Sequence, residues 1–239
     1  MRNYTNQYVT ESQSSKKWSW KWELTKFTVQ IIFIMFSLSL PFLFLIRGAI
    51  YLYHEYNINT WIGLMGGITM SALCIWAYFS IISLMIVNIK KIRFSHLKWS
   101  AISVALIVLS YVVFALFSFT GNNAKNEKIR AEYTQLHPYL KISVRTFLFL
   151  DKGMLITDLS RTPDDYTSMR LQKKGRSLHY KQNTGYVHAM DLRTKNRPFW
   201  MVWMAQLYFK SLGFNAVRHG GTGDHLHVSL SIYERQGSW

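Results

Sequence analysis

The sequence has one cysteine, few prolines, almost no acidic residues in its first half, and three long stretches with no charge at all. The single thiol, Cys74, lies inside an apolar run. Neither a disulfide framework nor a cysteine zinc site can therefore form within one chain, and any metal must be held by His, Asp or Glu. Residues 1–120 contain only Glu11, Glu23 and Glu55 as acids against ten Lys or Arg, whereas residues 121–239 hold nine acids and eighteen Lys or Arg. The first half is a poor soluble domain and the second a good one. The formal net charge of +16 favours an anionic partner such as phospholipid headgroups, cell-wall polymer or nucleic acid, without choosing among them.

The uncharged stretches run from Phe27 to Ile46, from about Trp61 to Ile89, and from Trp99 to Thr120. Each is long enough to cross roughly 30 Å of hydrocarbon, which takes about 20 helical residues. The first exceeds the apolar region of a signal peptide, and no clear small-residue cleavage site follows it. With no Asp, Glu, Lys, Arg or His inside them, the spans show no ion path or proton relay and read as an anchor over residues 27–120. Gly63, Gly66, Gly67, Ser71 and Ala72 suit close helix packing or oligomers, so lipid and a second copy or another membrane protein are the partners expected here.

Positive charge orients the spans. The tail, residues 1–26, carries Arg2, Lys16, Lys17, Lys21 and Lys26, and the second connection carries Lys90, Lys91, Arg93 and Lys98; the first connection has only Arg47, offset by Glu55. The tail and second connection are thus expected in the cytoplasm of a bacterial cell and everything after Thr120 in the periplasm or outside. Trp18, Trp20 and Trp22, interleaved with Lys, suit the inner-leaflet interface, and nucleic-acid binding is not expected beside a span.

Residues 121–138 are polar and read as a linker or a helix leading off the membrane. Residues 139–239 read as an α+β domain with a small antiparallel sheet. KISVRTFLFL and GMLITDL are predicted strands separated by the turn Asp151-Lys152-Gly153. Thr162-Pro163-Asp164-Asp165 opens a helix. SLHY and YVHAMDL are predicted strands joined by KQNTG. PFWMVWMAQLYFKSLGF is a helix closing at Gly213, and NAVRHGGTGDHLHVSLSIY a strand, a Gly-rich turn and a strand.

His225 and His227 share one face of the last strand, since residues two apart in a strand point the same way. His179 and Asp191 flank KQNTG, which a hairpin could bring together. Two imidazoles and a carboxylate, with a fourth position for water, is a catalytic zinc arrangement. Such an ion lowers the pKa of its water to about 7, and a nearby carboxylate such as Asp224 can take the proton.

The stretch from about Ile156 to Ser231 resembles the LAS metallopeptidases, which include D-alanyl-D-alanine carboxypeptidases, phage endolysins and the hedgehog signalling domain. ITDLSRTPDD is similar to the family's Ile-Thr-Ser-Gly-Tyr-Arg-like segment, SLHY with AMDL to its S-x-H-x-x-G-x-A-x-D, and DHLHV to its H-x-H strand. FKSLGF falls where the family's helix ends. The resemblance implies His179, Asp191 and His227 as zinc ligands and Asp224 as general base. It also implies His225 as an oxyanion-stabilising neighbour and Arg161 as a holder of substrate carbonyl or carboxylate. One spacing departs: the family's His and Asp are seven apart, whereas His179 and Asp191 are twelve apart, as if KQNTG were inserted. Val187 then stands at the family's glycine, and His188 is a rival first ligand that strand alternation turns away from Asp191.

The expectation is a membrane-anchored zinc peptidase acting on peptidoglycan stem peptides or cross-links. A zinc-containing binding or signalling module without turnover, and a membrane sensor or effector with an accessory domain, are the alternatives.

Overall fold

The computed structural model describes residues 5–86, 94–119, 121–168, 177–221 and 223–230. Arg2, Lys90, Lys91, Arg93, Thr120, the end of the SRTPDDYTSMRLQKKG segment and the SIY that closes the last strand lie outside them, as do the side chains of Lys16, Lys17 and Trp18. Two compact units divide the chain at Pro41: residues 1–41 and 42–239.

Three helices, α1 (Thr5–Glu55), α2 (Thr60–Ile86) and α3 (Phe94–Phe117), contain segments long and apolar enough to cross a membrane, at Trp20–Glu55, Thr60–Met85 and Ser95–Phe117. The tail expected before Phe27 is itself helical from Thr5, and the helix runs past Ile46 to Glu55. In the first unit, Lys26 pairs with Glu23 at 2.9 Å and lies 5.5 Å from the Trp22 ring, an apolar-plus-cation surface of the kind that suits headgroups.

Within the second unit, glycines let helices meet. A Cβ on Gly67 would overlap the Leu45 carbonyl of α1, and one on Gly63 would overlap the Tyr139 hydroxyl. The small residues of α2 thus serve close packing inside this chain.

Residues 139–150 correct the strand expectation. His137 starts a helix, α5 (Pro138–Leu150), by accepting the Tyr139 N–H on its ring, with Pro138 in the first turn. Ile142, Val144 and Thr146 are β-branched and favour a strand locally. The buried set Leu140, Ser143, Val144, Phe147 and Leu148 follows helical spacing instead, and burial outweighs a propensity difference of a few tenths of a kcal/mol per residue. α5 packs against α3, where Phe149 stacks on Phe114 at 5.9 Å and Arg145 donates to Ser118 at 3.0 Å. Its start meets α2, where the Tyr139 hydroxyl donates to the Thr60 carbonyl at 2.7 Å.

Residues 121–135 are folded rather than extended. They form a 3₁₀ turn at Gly121–Asn123, α4 (Glu127–Glu132) capped by Asn126, and a second 3₁₀ turn at Tyr133–Gln135. Buried Asn123 donates to the Lys152 and Met154 carbonyls, fixing this segment beside the first strand.

The sheet is four-stranded and antiparallel, in the order β1 (Ile156–Asp158), β2 (Ala189–Arg193), β4 (His225–Ser229), β3 (Asn215–His219). Met190, Leu192, Leu226, Val228 and Ala216 lie in the core together with Phe209 of α7 (Phe199–Ser211). α6 (Pro163–Ser168) begins as expected: the Thr162 hydroxyl and N–H both bond the Asp165 carboxylate. α7 closes at Gly213, whose φ of +97° a residue with a side chain rarely adopts. SLHY is a turn rather than a strand, its Tyr180 N–H returning to the Ser177 carbonyl at 3.1 Å.

Candidate metal centre

Register assembles the site. Asp191 on β2 faces His227 on β4, and Arg193 faces His225. His179 arrives from the turn before β2. Its position is fixed by backbone bonds on both sides: Arg161 N–H donates to the His179 carbonyl and His188 N–H to the Leu178 carbonyl, each at 2.9 Å. KQNTG forms a tight hairpin closed by Gln182 N–H to Tyr186 O at 2.9 Å and by Gly185 at φ +81°. The hairpin brings the chain back so that His179, twelve residues before Asp191, reaches it.

His179, Asp191 and His227 each offer a ligand atom within 4.8 Å of the others, a group that could hold a metal ion. His227 Nδ1 lies 2.8 Å from Asp191 Oδ1 and 3.3 Å from His179 Nε2, and His179 Nε2 lies 3.5 Å from the same oxygen. The donor set fits a borderline-soft divalent ion. The tautomer fits as well: His179 Nδ1 sits 2.6 Å from the Leu159 carbonyl, which can only accept, so Nε2 keeps its lone pair toward the centre.

Asp191 is 2 % exposed. Burial pushes its carboxyl up, but the His179 and His227 imidazoles, when protonated, bond and attract the carboxylate and pull it further down, well below the ordinary range. The other oxygen, Oδ2, accepts from Arg161 at 3.0 Å, and the same guanidinium holds Asp158 at 2.5 Å. Arg161 thus orients the Asp191 carboxylate while lining the adjoining cavity.

His225 lies with Nε2 3.7 Å from Asp191 Oδ2, and its Nδ1 donates to the Gly223 carbonyl at 2.5 Å. Asp224 is engaged elsewhere. It accepts two bonds from Arg218, at 2.6 and 2.9 Å, and one from the Thr194 hydroxyl at 2.7 Å. The Arg218 hydrogen bond is the main cause of its depressed pKa, about 2. His188 is buried apart from this group, with its Nε2 3.1 Å from the Thr184 hydroxyl and its ring edge-on to His137 at 4.8 Å.

A cavity of about 580 Å³ opens beside the centre, lined by Arg161, Asp191, Asp224 and His225 and also by Lys125 and Glu132. Burial pushes the Glu132 carboxyl up. Comparison with protein-family models, curated proteins and solved structures finds no match.

Two neighbours escape a reading of the sequence. His219 on β3 pairs with His225, its ring 5.1 Å from that of His225 and 6.0 Å from that of His227. Period-two alternation along NAVRH is its only local signal, and it needs the register to become legible. Glu132 had none, because its segment reads as a linker.

Proposed function

We propose that the protein is a membrane-anchored zinc peptidase that hydrolyses peptide bonds in the stem peptides or cross-links of peptidoglycan. The observation that carries this reading is the convergence of His179 Nε2, His227 Nδ1 and Asp191 Oδ1, with the His179 tautomer set by the Leu159 carbonyl. The resemblance of Ile156–Ser231 to the LAS metallopeptidases supports the reaction class. The charge asymmetry of the spans supports a C-terminal domain outside the cytoplasm of a bacterial inner membrane, where wall peptides are.

His179, Asp191 and His227 would hold the ion, and when bound it would polarise the scissile carbonyl and acidify an attacking water. Arg161 holds Asp191 in orientation, and its cavity face meets a substrate carbonyl or carboxylate. His225 donates its Nδ1 proton to Gly223, so its Nε2 steadies a developing oxyanion only when the ring is protonated. Asp224 takes the proton once substrate draws Arg218 away from it.

The test is digestion of purified peptidoglycan by the full-length protein in detergent, followed by mass analysis of products. Cleavage that stops on chelation, returns with zinc and is abolished in His227→Ala is expected. A His227→Ala protein that cuts as well as the parent would sink the mechanism. The double engagement of Asp224 by Arg218 favours one second reading, a zinc-containing binding module. Muropeptide binding without products would support it.

A further inference from the structure

We propose that α7 lies in the interfacial layer of the bilayer, its Phe199–Leu207 face seated among headgroups and upper acyl chains, so that the sheet face bearing Asp191, His225 and His227 points away from the membrane. The inference rests on α1–α3 crossing a bilayer and not on the peptidase reading.

A helix that covers a sheet ordinarily turns a polar face to water. α7 buries Val202, Ala205 and Phe209 against the core, yet its opposite side presents Phe199, Trp200, Trp203, Met204 and Leu207, with the two tryptophans 63 % and 51 % exposed. At 100° per residue these five fall in one arc, and exposed Lys210 follows in the same arc at the C-terminal end of the helix. Tryptophan and lysine around an apolar face is the composition of an interfacial helix.

Depth argues for lipid. Tyr208 stacks on Phe42 of α1 at 6.3 Å, and Phe42 meets Tyr111 of α3 edge-on at 6.4 Å. Tyr111 lies six residues before the end of α3, about 9 Å at 1.5 Å per residue. The C-terminal end of α7 is therefore level with the last turns of a span-capable helix, and Arg47 holds it there by donating to the Ser211 carbonyl at 3.1 Å. Beside it, α5 ends in Leu150, 76 % exposed, next to the Phe149–Phe114 stack. Exposed apolar side chains thus stand where α5 meets α3 as well as on α7. The opposite side of the sheet carries Asp191, His225 and His227, whereas Met190, Leu192, Leu226 and Val228 point into the core shared with α7.

The full-length protein, with Cys74→Ser, is given one cysteine at Trp203→Cys, Leu207→Cys or the hairpin position Asn183→Cys, labelled with an environment-sensitive fluorophore and reconstituted in phosphatidylethanolamine–phosphatidylglycerol vesicles. Co-flotation with the vesicles checks insertion separately. Labels at 203 and 207 should be quenched several-fold more by spin-labelled lipid than by iodide, with the reverse at 183. Iodide quenching at 203 and 207 equal to that at 183 would overturn the proposal. Shielding of the label from both quenchers, together with 203–203 disulfide formation when the unlabelled Trp203→Cys protein is oxidised, would overturn it too, in favour of a second copy on this face.

Discussion

His179 donates its Nδ1 proton to the Leu159 carbonyl at 2.6 Å, and that bond aims its other nitrogen at Asp191. A backbone acceptor cannot be lost to side-chain substitution, so the centre's first ligand is held by the fold.

The ligand set is open to direct measurement. The parent and His188→Ala should purify with zinc bound, and His179→Ala, Asp191→Asn and His227→Ala should each purify without it. Elemental analysis of the full-length protein decides this, and zinc retained in His179→Ala would remove that residue from the set.

Arg161 reaches Asp158 and Asp191 at once with its planar fork, which a lysine cannot reproduce. Arg161→Lys should weaken zinc affinity by about 10–100-fold, the usual effect of losing an outer partner of a ligand. Chelator competition measures it.

Arg218 sets the acid behaviour of Asp224. Its carboxyl titrates at about 2 in the folded protein, below its unfolded value of about 3.9. The depressed value means that the pair's stabilisation is present above about pH 4 and is lost as pH falls through about 2. The Tm difference between the parent and Arg218→Ala should therefore shrink across that window. If Asp224 is the proton acceptor, the acid limb of the pH–rate profile should also move upward in Arg218→Ala. Glu132→Gln should leave that limb in place, and an acid limb that follows Glu132 instead would reassign the base.

Helix contact in the anchor is testable through Gly67. Gly67→Ala drives a methyl into the Leu45 carbonyl, an overlap that backbone cannot relieve cheaply. A loss of about 1–3 kcal/mol is expected, read as a lower unfolding midpoint in detergent. Tyr139→Phe removes the hydroxyl's bond to the Thr60 carbonyl and should cost about 0.5–1.5 kcal/mol, the net worth of one such hydrogen bond.

Legibility followed the range of the forces involved. The spans were plain because charge is intolerable in hydrocarbon, and α6, α7 and the β3–β4 hairpin were plain because Thr162, Gly213 and the Gly220–Gly221 turn act locally. α5 was misread because Ile142, Val144 and Thr146 speak for a strand, while the buried surroundings that select a helix are contributed by α3 and the sheet. SLHY was misread because the location of His179 comes from bonds to Arg161 and His188, distant in sequence. His219 became visible only with the β3–β4 register, and Arg218's hold on Asp224 only with the turn between them.

α5 gives the protein one interior for two solvents. Its Tyr139 end is locked to α2 and its Phe149 end to α3, while Leu140 and Phe147 belong to the core that also holds the sheet. Cutting the chain near residue 121 would therefore not release an intact domain but would strip a wall from its core. Shedding of that domain by proteolysis is closed to such a protein, because α2 and α3 are part of what keeps it folded.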